Sequence, residues 1–423
     1  MIYENSFQNY PVDADGKGLG DLSSKPTVGA LKELAWNILH EDVSLPVAVL
    51  RAERIDHNLK WMQQFIASYN LKVAPHGKTT MSPALFKQQL DHGAWGITLA
   101  TAPQVNAAYN HGVRRVLMAN QLVGCANMAI IARLQQDPNF EFYCIVDSVE
   151  NLNQLGEFFS GAQQSIKVLI ELGVDGGRTG IRNDVELASL LTAIAVWSDT
   201  VVLAGLEIYE GVLKEELPIR DFLRRAVGVL QDLNDNRYLT TPRVILSGAG
   251  SAWFDLVAEE WAQVDIGRPL DIILRPGCYL THDVGAYKAA ETRISASNPI
   301  ARSMQTTLLP ALQIWAYVLS LPEPGLAIMG LGKRDAAFDA GLPVPNKHYR
   351  PGRVAPVEVN NDWQLSAMMD QHAFMRLPEN ADIKVGDMVA FDISHPCLTF
   401  DKWRQLLIVD EALNVTDLVH TCF

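Results

Sequence analysis

The sequence predicts an α/β fold, a (β/α)8 TIM-type barrel followed by a second, mostly β domain. Three observations carry this reading. Apolar runs rich in β-formers recur from Pro46 to Leu274, and helical periodicity fills most of the gaps between them. From about Tyr287 that rhythm gives way to short β-prone pieces broken by Pro/Gly turns. The expected organisation is an N-terminal extension over residues 1–45, a barrel over 46–286 and a β domain over 287–423.

The extension is glycine-rich between Asp13 and Gly20, then helical from about Val28 to Leu39. Apolar runs follow at Pro46–Leu50, Leu71–Ala74, Gly96–Ala100, Arg115–Ala119, Glu141–Val146, Lys167–Glu171, Val201–Ile208, Arg243–Leu246 and Asp271–Leu274. Asp147-Ser148 suits the N-cap of a helix carrying Val149, Leu152, Leu155, Phe158 and Phe159. Another helix runs from Asp184 through Leu187, Leu190, Leu191 and Ile194. So many strand-like runs in succession favour a closed barrel over an open sheet. In the second domain, Arg302–Leu309, Leu312–Leu319, Gly325–Met329, Val385–Phe391 and Gln405–Val409 read as strands, with no long amphipathic helix among them.

Composition narrows the class. A chain of 423 residues, 48% hydrophobic and 20% charged, is that of an ordinary globular enzyme. Its 48 acidic against 35 basic residues give a formal charge of −13, which disfavours nucleic acid and anionic membrane surfaces as partners. The five cysteines form no C-x-x-C, so a reducing compartment fits better than a disulfide framework. Met1–Asn5 is neither cationic nor apolar, and the apolar run Leu190–Trp197 is too short to span a bilayer. A cytoplasmic protein is expected.

In a barrel, polar residues just after the strands ring one mouth, where catalytic groups sit. Lys78, in Val73-Ala74-Pro75-His76-Gly77-Lys78-Thr79-Thr80, stands where a carbonyl cofactor could be held as a Schiff base. An ordinary loop lysine would look the same. His76, two residues earlier, could orient Lys78 or simply pack. Ser247-Gly248-Ala249-Gly250-Ser251 is a small-residue loop whose amides could approach a phosphate, or a plain glycine turn. It lacks a Walker lysine and G-x-G-x-x-G spacing. Paired with Lys78, it suggests a phosphorylated aldehyde, pyridoxal 5′-phosphate. Arg178 could bond that cofactor's phenolic oxygen, or pair with a surface carboxylate; Tyr209 could meet its ring, or fill core.

His395 and Cys397, two apart on an extended segment, point to one side and could bind one divalent metal, Zn²⁺ before Mn²⁺ or Mg²⁺. A buried thiol beside an incidental histidine is the competing reading. His420-Thr421-Cys422 repeats the spacing but ranks below it. Cys125, Cys144 and Cys278 have no histidine at ligand spacing and read as inert apolar residues. Asp370–His372 and Gly332–Asp335 are smaller candidates for substrate contacts, at least as well explained as loop residues, and His348-Tyr349 lies in a loop with no identified partner.

Together, these stretches resemble the D-threonine aldolase/D-serine dehydratase family, fold type III pyridoxal-phosphate enzymes related to alanine racemase. Ala74-Pro75-His76-Gly77-Lys78-Thr79-Thr80 is similar to the family's Arg-Pro-His-x-Lys-Thr-His, departing from it at Ala74 and Thr80. Asp175–Gly180, Tyr209-Glu210-Gly211 and Arg275-Pro276-Gly277-Cys278-Tyr279 resemble further family elements, which adds Tyr279 to the cofactor residues. His395-x-Cys397 falls where the family carries its metal ligands. The resemblance implies a homodimer and a lyase acting on a small β-hydroxy D-amino acid. Cysteine rather than aspartate after the histidine implies a dehydratase giving a 2-oxo acid and ammonia. A retro-aldol to glycine and an aldehyde is the alternative, and a non-catalytic pyridoxal-phosphate carrier or a metal hydrolase are the other classes.

Overall fold

A computed structural model describes residues 7–22 and 24–423; the Met1–Asn5 stretch read above lies outside them. Its strands are β1 (Val47–Arg51), β2 (Lys72–Val73), β3 (Ile97–Leu99), β4 (Arg115–Gln121), β5 (Glu141–Val146) and β6 (Ile166–Leu172). They continue with β7 (Val201–Ile208), β8 (Val244–Gly248), β9 (Leu270–Leu274), β10 (Leu312–Glu323), β11 (Leu326–Met329) and β12 (Val344–Tyr349). The last are β13 (Val357–Glu358), β14 (Gln364–Met368), β15 (Ala373–Arg376), β16 (Met388–Asp392), β17 (Gln405–Val409) and β18 (Val415–His420).

Strands β2 to β9 form a parallel eight-stranded sheet in the order β2-β9-β8-β7-β6-β5-β4-β3. A parallel bridge between His76 and Thr98 closes it into a barrel. Burial on both faces explains the unbroken apolar runs. Helices cover the outside: Ser148, the cap the sequence suggests, accepts from the Asn151 amide ahead of Val149–Gly161, and Thr101 accepts from the Gln104 amide ahead of Ala102–Asn110.

Inside the barrel, Ala74, Leu117, Ile145, Leu169, Ala204, Ile245 and Ile273 pack as one cluster. Side chains alternate along a strand, so the positions two residues further on face the same interior, nearer the mouth. Those positions hold His76, Ala119, Glu171, Ser247 and Arg275, and Glu207 pairs across to both Glu171 and Ser247. An apolar barrel thus ends in a polar floor.

The run at Pro46–Leu50 does not enter the barrel. As β1 it pairs antiparallel with β10 and parallel with β17, at the centre of the second sheet. That sheet runs β13-β12-β16-β10-β1-β17-β18, with β11, β14 and β15 extending from β10. The second domain also holds helical structure that the sequence reading missed. Ala286–Ser297 is a helix, tied to the barrel by Arg293 on Asp255 at 2.7 Å, and Pro299–Ser303 is another, so Arg302–Leu309 contains no strand. In the extension, the expected continuous helix is three short turns, because Ala35 adopts a left-handed conformation (φ 51°). Lys17 pins the extension to the β domain through Asp335 (2.6 Å) and the face of Trp403. Among the described residues, no helix is long and apolar enough to cross a membrane.

Candidate active site

Lys78 sits on the tight turn Gly77–Thr79 immediately after β2, and its side chain reaches a cavity of about 510 Å³ at the C-terminal mouth of the barrel. The position is fixed from behind. Gly277 presses so close that a Cβ there would fall 2.5 Å from Thr79 Oγ1 and 2.8 Å from the His76 carbonyl. Among the described residues the Lys78 amine has no hydrogen bond or ion pair.

His76, Arg178, Tyr209, Ala249, Gly250 and Ser251 line the same cavity as Lys78, and His395 and Cys397 enter it from the β domain. Three anticipated residues do not. Ser247 is fully buried in β8 and donates to the Ile273 carbonyl (3.1 Å); a Cβ on Gly248 would meet Trp261. Tyr279 is buried, accepting from Gln89 (3.2 Å). Ser247 belongs to the barrel floor, whereas Gly248 and Tyr279 back the wall from outside.

The glycine loop is also used differently from the sequence reading. The amides of Ala249 and Gly250 donate to the two carboxylate oxygens of Glu210, at 2.9 and 2.7 Å. The polar seat left for a phosphate is Ser251 Oγ, now accepting from the Gly277 and Cys278 amides at 3.2 and 3.1 Å. Across from it, the Arg178 guanidinium lies over the Tyr209 ring, 4.7 Å from its centre. Its loop is anchored through Glu171, which accepts from Thr179 (2.6 Å) and Gln121 (2.7 Å).

On the floor, buried Arg275 pairs with buried Glu207 and donates to the Ile208 carbonyl. Burial pushes the Glu207 carboxyl up to about 8 against the pull of Arg275. His76 is held well below its ordinary value by burial and then by the charges of Lys78, Arg275 and Arg178, so it is neutral. Among the described residues, His76 Nδ1 and Arg275 Nε are buried without partners. Orphaned polar atoms around an unpaired amine, with an open volume and a polar seat beyond, suit a planar anionic cofactor such as pyridoxal phosphate.

Opposite Lys78, Cys397 Sγ lies 3.4 Å from Thr79 Oγ1 and 3.7 Å from Cys278 Sγ. Hydrogen bonding from Cys278, then from His395, brings the Cys397 thiol down to about 4, despite burial. Cys397, and then Asp339 at 2.7 Å from Nδ1, raise His395 to about 9. A thiolate beside an imidazole held by a carboxylate is a donor set suited to a soft-tolerant divalent metal. Among the described residues, no three such side chains already converge on one point.

Cys278 therefore is not the inert residue its spacing suggested, whereas Cys144 is buried and Cys125 faces solvent. His420 packs on Tyr10, and the Cys422 amide donates to the Met81 carbonyl, so this second H-x-C lies off the cavity. Asp370–His372, His348-Tyr349 and Gly332–Asp335 lie off it too; His348 is buried on Asp387. Glu207 was missed as a site residue, while Glu210 and Arg275 were expected at the mouth but given no role. Their signal was present: ionisable groups at the ends of otherwise apolar strands.

Residues 50–278 match the family model described as alanine racemase, N-terminal domain, and residues 311–409 match that of a putative serine dehydratase domain. A D-threonine aldolase from Arthrobacter sp. is 25% identical over 382 residues, covering 88% of this chain and 90% of that protein. A D-threo-3-hydroxyaspartate dehydratase from Delftia sp. (strain HT23) is 29% identical over 140 residues, 33% of this chain and 36% of that one. The crystal structure of D-threonine aldolase from Filomicrobium marinum shares the fold, with a TM-score of 0.73 at 22% identity, over 90% of this chain and 95% of that chain.

Proposed function

Because the chain belongs to the alanine racemase N-terminal domain family, we propose that it is a pyridoxal-phosphate-dependent lyase acting on β-hydroxy D-amino acids. One observation carries the reading: Lys78, unpaired among the described residues, and the His395–Cys397 pair face one cavity from opposite domains. The first suits a carbonyl cofactor, the second the hydroxyl of its substrate.

In this reading Lys78 would anchor the cofactor, Ser251 with the Gly277 and Cys278 amides would hold its phosphate, and Arg178 and Tyr209 would bind beside it. The bound cofactor supplies an electron sink that acidifies the substrate Cα–H. Once the substrate is bound, the Lys78 amine takes that proton. Neutral His76 packs behind the lysine without adding a competing charge. His395 and Cys397 would hold a divalent metal, zinc foremost, and that metal would supply Lewis acidity to the β-hydroxyl, a poor leaving group by itself. Asp339 fixes the His395 ring through Nδ1, which would leave the other ring nitrogen to a metal.

The outcome is β-elimination: the Cα proton and the β-hydroxyl leave as water, and hydrolysis of the resulting enamine gives a 2-oxo acid and ammonia. D-serine would yield pyruvate, and D-threonine 2-oxobutanoate. The retro-aldol stays as a second reading because the match that spans 88% of this chain is to an aldolase. A homodimer in a reducing, cytoplasmic setting belongs to the same proposal; all five cysteines are free, in keeping with that setting.

The test is spectroscopic. Protein with the cofactor should carry a visible absorbance band that borohydride fixes covalently to Lys78 and that Lys78→Ala lacks. A colourless protein, or label on another lysine, would refute the assignment.

A further inference from the structure

The thiols of Cys278 and Cys397 face each other at 3.7 Å across the join between the two domains. Cys278 comes from the step out of β9, Cys397 from the segment after β16, and both border the cavity. The separation is far beyond a disulfide bond of about 2.05 Å. It does match another geometry. Two thiolates on one tetrahedral zinc, each at about 2.3 Å, stand about 3.8 Å apart.

We propose that Cys278 is a direct metal ligand, completing a Cys278–His395–Cys397 set with one position open. The inference rests on the metal reading given above and concerns this chain's own donor count. Catalytic zinc generally keeps three protein ligands and one exchangeable position, and a His-x-Cys pair alone falls one short. The third donor is at hand. The sulfurs are already at ligand spacing, and His395 is in hydrogen-bonding reach of Cys397. Because the three do not yet surround one point, the ion itself draws them together. Binding releases the Cys278 proton to solvent as the sulfur–metal bond forms.

Two consequences follow. The metal clips the barrel to the β domain, since one sulfur comes from each. Two thiolates and an imidazole also select a soft-tolerant ion such as Zn²⁺ over Mg²⁺ or Mn²⁺.

Cobalt(II) tests this with the cofactor-loaded protein after chelator treatment, because sulfur-to-cobalt charge-transfer absorbance counts thiolates. Wild type should show a two-thiolate band. Cys278→Ser and Cys278→Ala should each lose about half of it while keeping their circular dichroism, as should Cys397→Ser, whereas His395→Ala keeps the full intensity at saturation. Affinity alone would not discriminate, since losing an outer hydrogen bond costs ~10–100-fold. Full intensity in both Cys278 variants would make Cys278 an outer hydrogen-bond donor and overturn the inference, leaving the two-ligand metal reading intact. No cobalt band in wild type would bring down both.

Discussion

Replacing Glu210 should loosen the loop beside the lysine more than its distance from the chemistry suggests. The side chain is fully buried, and its two oxygens each accept one amide, from Ala249 and Gly250. Burial pushes this carboxyl up, while the amides of Gly250, Glu210 and Ala249 favour its charged form. Glu210→Ala leaves the Ala249 and Gly250 donors without partners, at about 1–3 kcal/mol each, so about 2–6 kcal/mol in all. Glu210→Gln keeps the shape but can accept only through its single oxygen, and its NH2 opposes the other amide. About half the loss is therefore expected from glutamine. Urea unfolding of the cofactor-free variants measures the stability change, and a cofactor titration should show weaker binding in the same order. If Glu210→Ala lies within about 0.5 kcal/mol of wild type, as an ordinary surface substitution does, the clamp has no energetic role and the reasoning fails.

Arg275→Ala removes the charge that favours ionised Glu207, so this carboxyl, already up at about 8, stays protonated; unfolding should show a loss of about 1–3 kcal/mol from polar groups left without partners, and Arg275→Ala combined with Glu207→Gln should cost about the same. Burial lowers His282 to about 4 from an unfolded value near 6.5, so the unfolded chain takes up its proton first as pH falls. Its contribution is full above pH 6.5 and is lost towards pH 4, up to about 3 kcal/mol; His282→Asn, which tolerates the left-handed backbone there (φ 46°), should flatten that part of the stability–pH curve. Chelation should abolish turnover, with zinc and not magnesium restoring it; unchanged turnover after chelation would exclude the metal's role.

Much of the barrel was legible because a strand buried on both faces must be apolar throughout, and the runs at Glu141–Val146 and Val201–Ile208 coincide with β5 and β7. The same rule misled at Pro46–Leu50. β1 is equally apolar, and its destination depends on partners over 250 residues away, which no local pattern encodes. The helix Ala286–Ser297 was invisible because it buries only Glu291 and Ile294, leaving almost no apolar stripe to read. In the site, Lys78, His395 and Cys397 carried their chemistry in short motifs. Cys278 did not: its counterpart, Cys397, lies 119 residues away, and only the folded chain brings the sulfurs together. The glycine loop had the right character but not the right detail, since Glu210 already uses two of its amides.

Incubating the cofactor- and zinc-loaded protein with D-threonine, and quantifying products beside the Lys78→Ala variant, tests the central claim most directly. The account predicts 2-oxobutanoate and ammonia in equal amounts from wild type, and neither from the variant. Glycine with acetaldehyde would contradict the dehydratase assignment, and equal turnover in the variant would contradict the role of Lys78 itself.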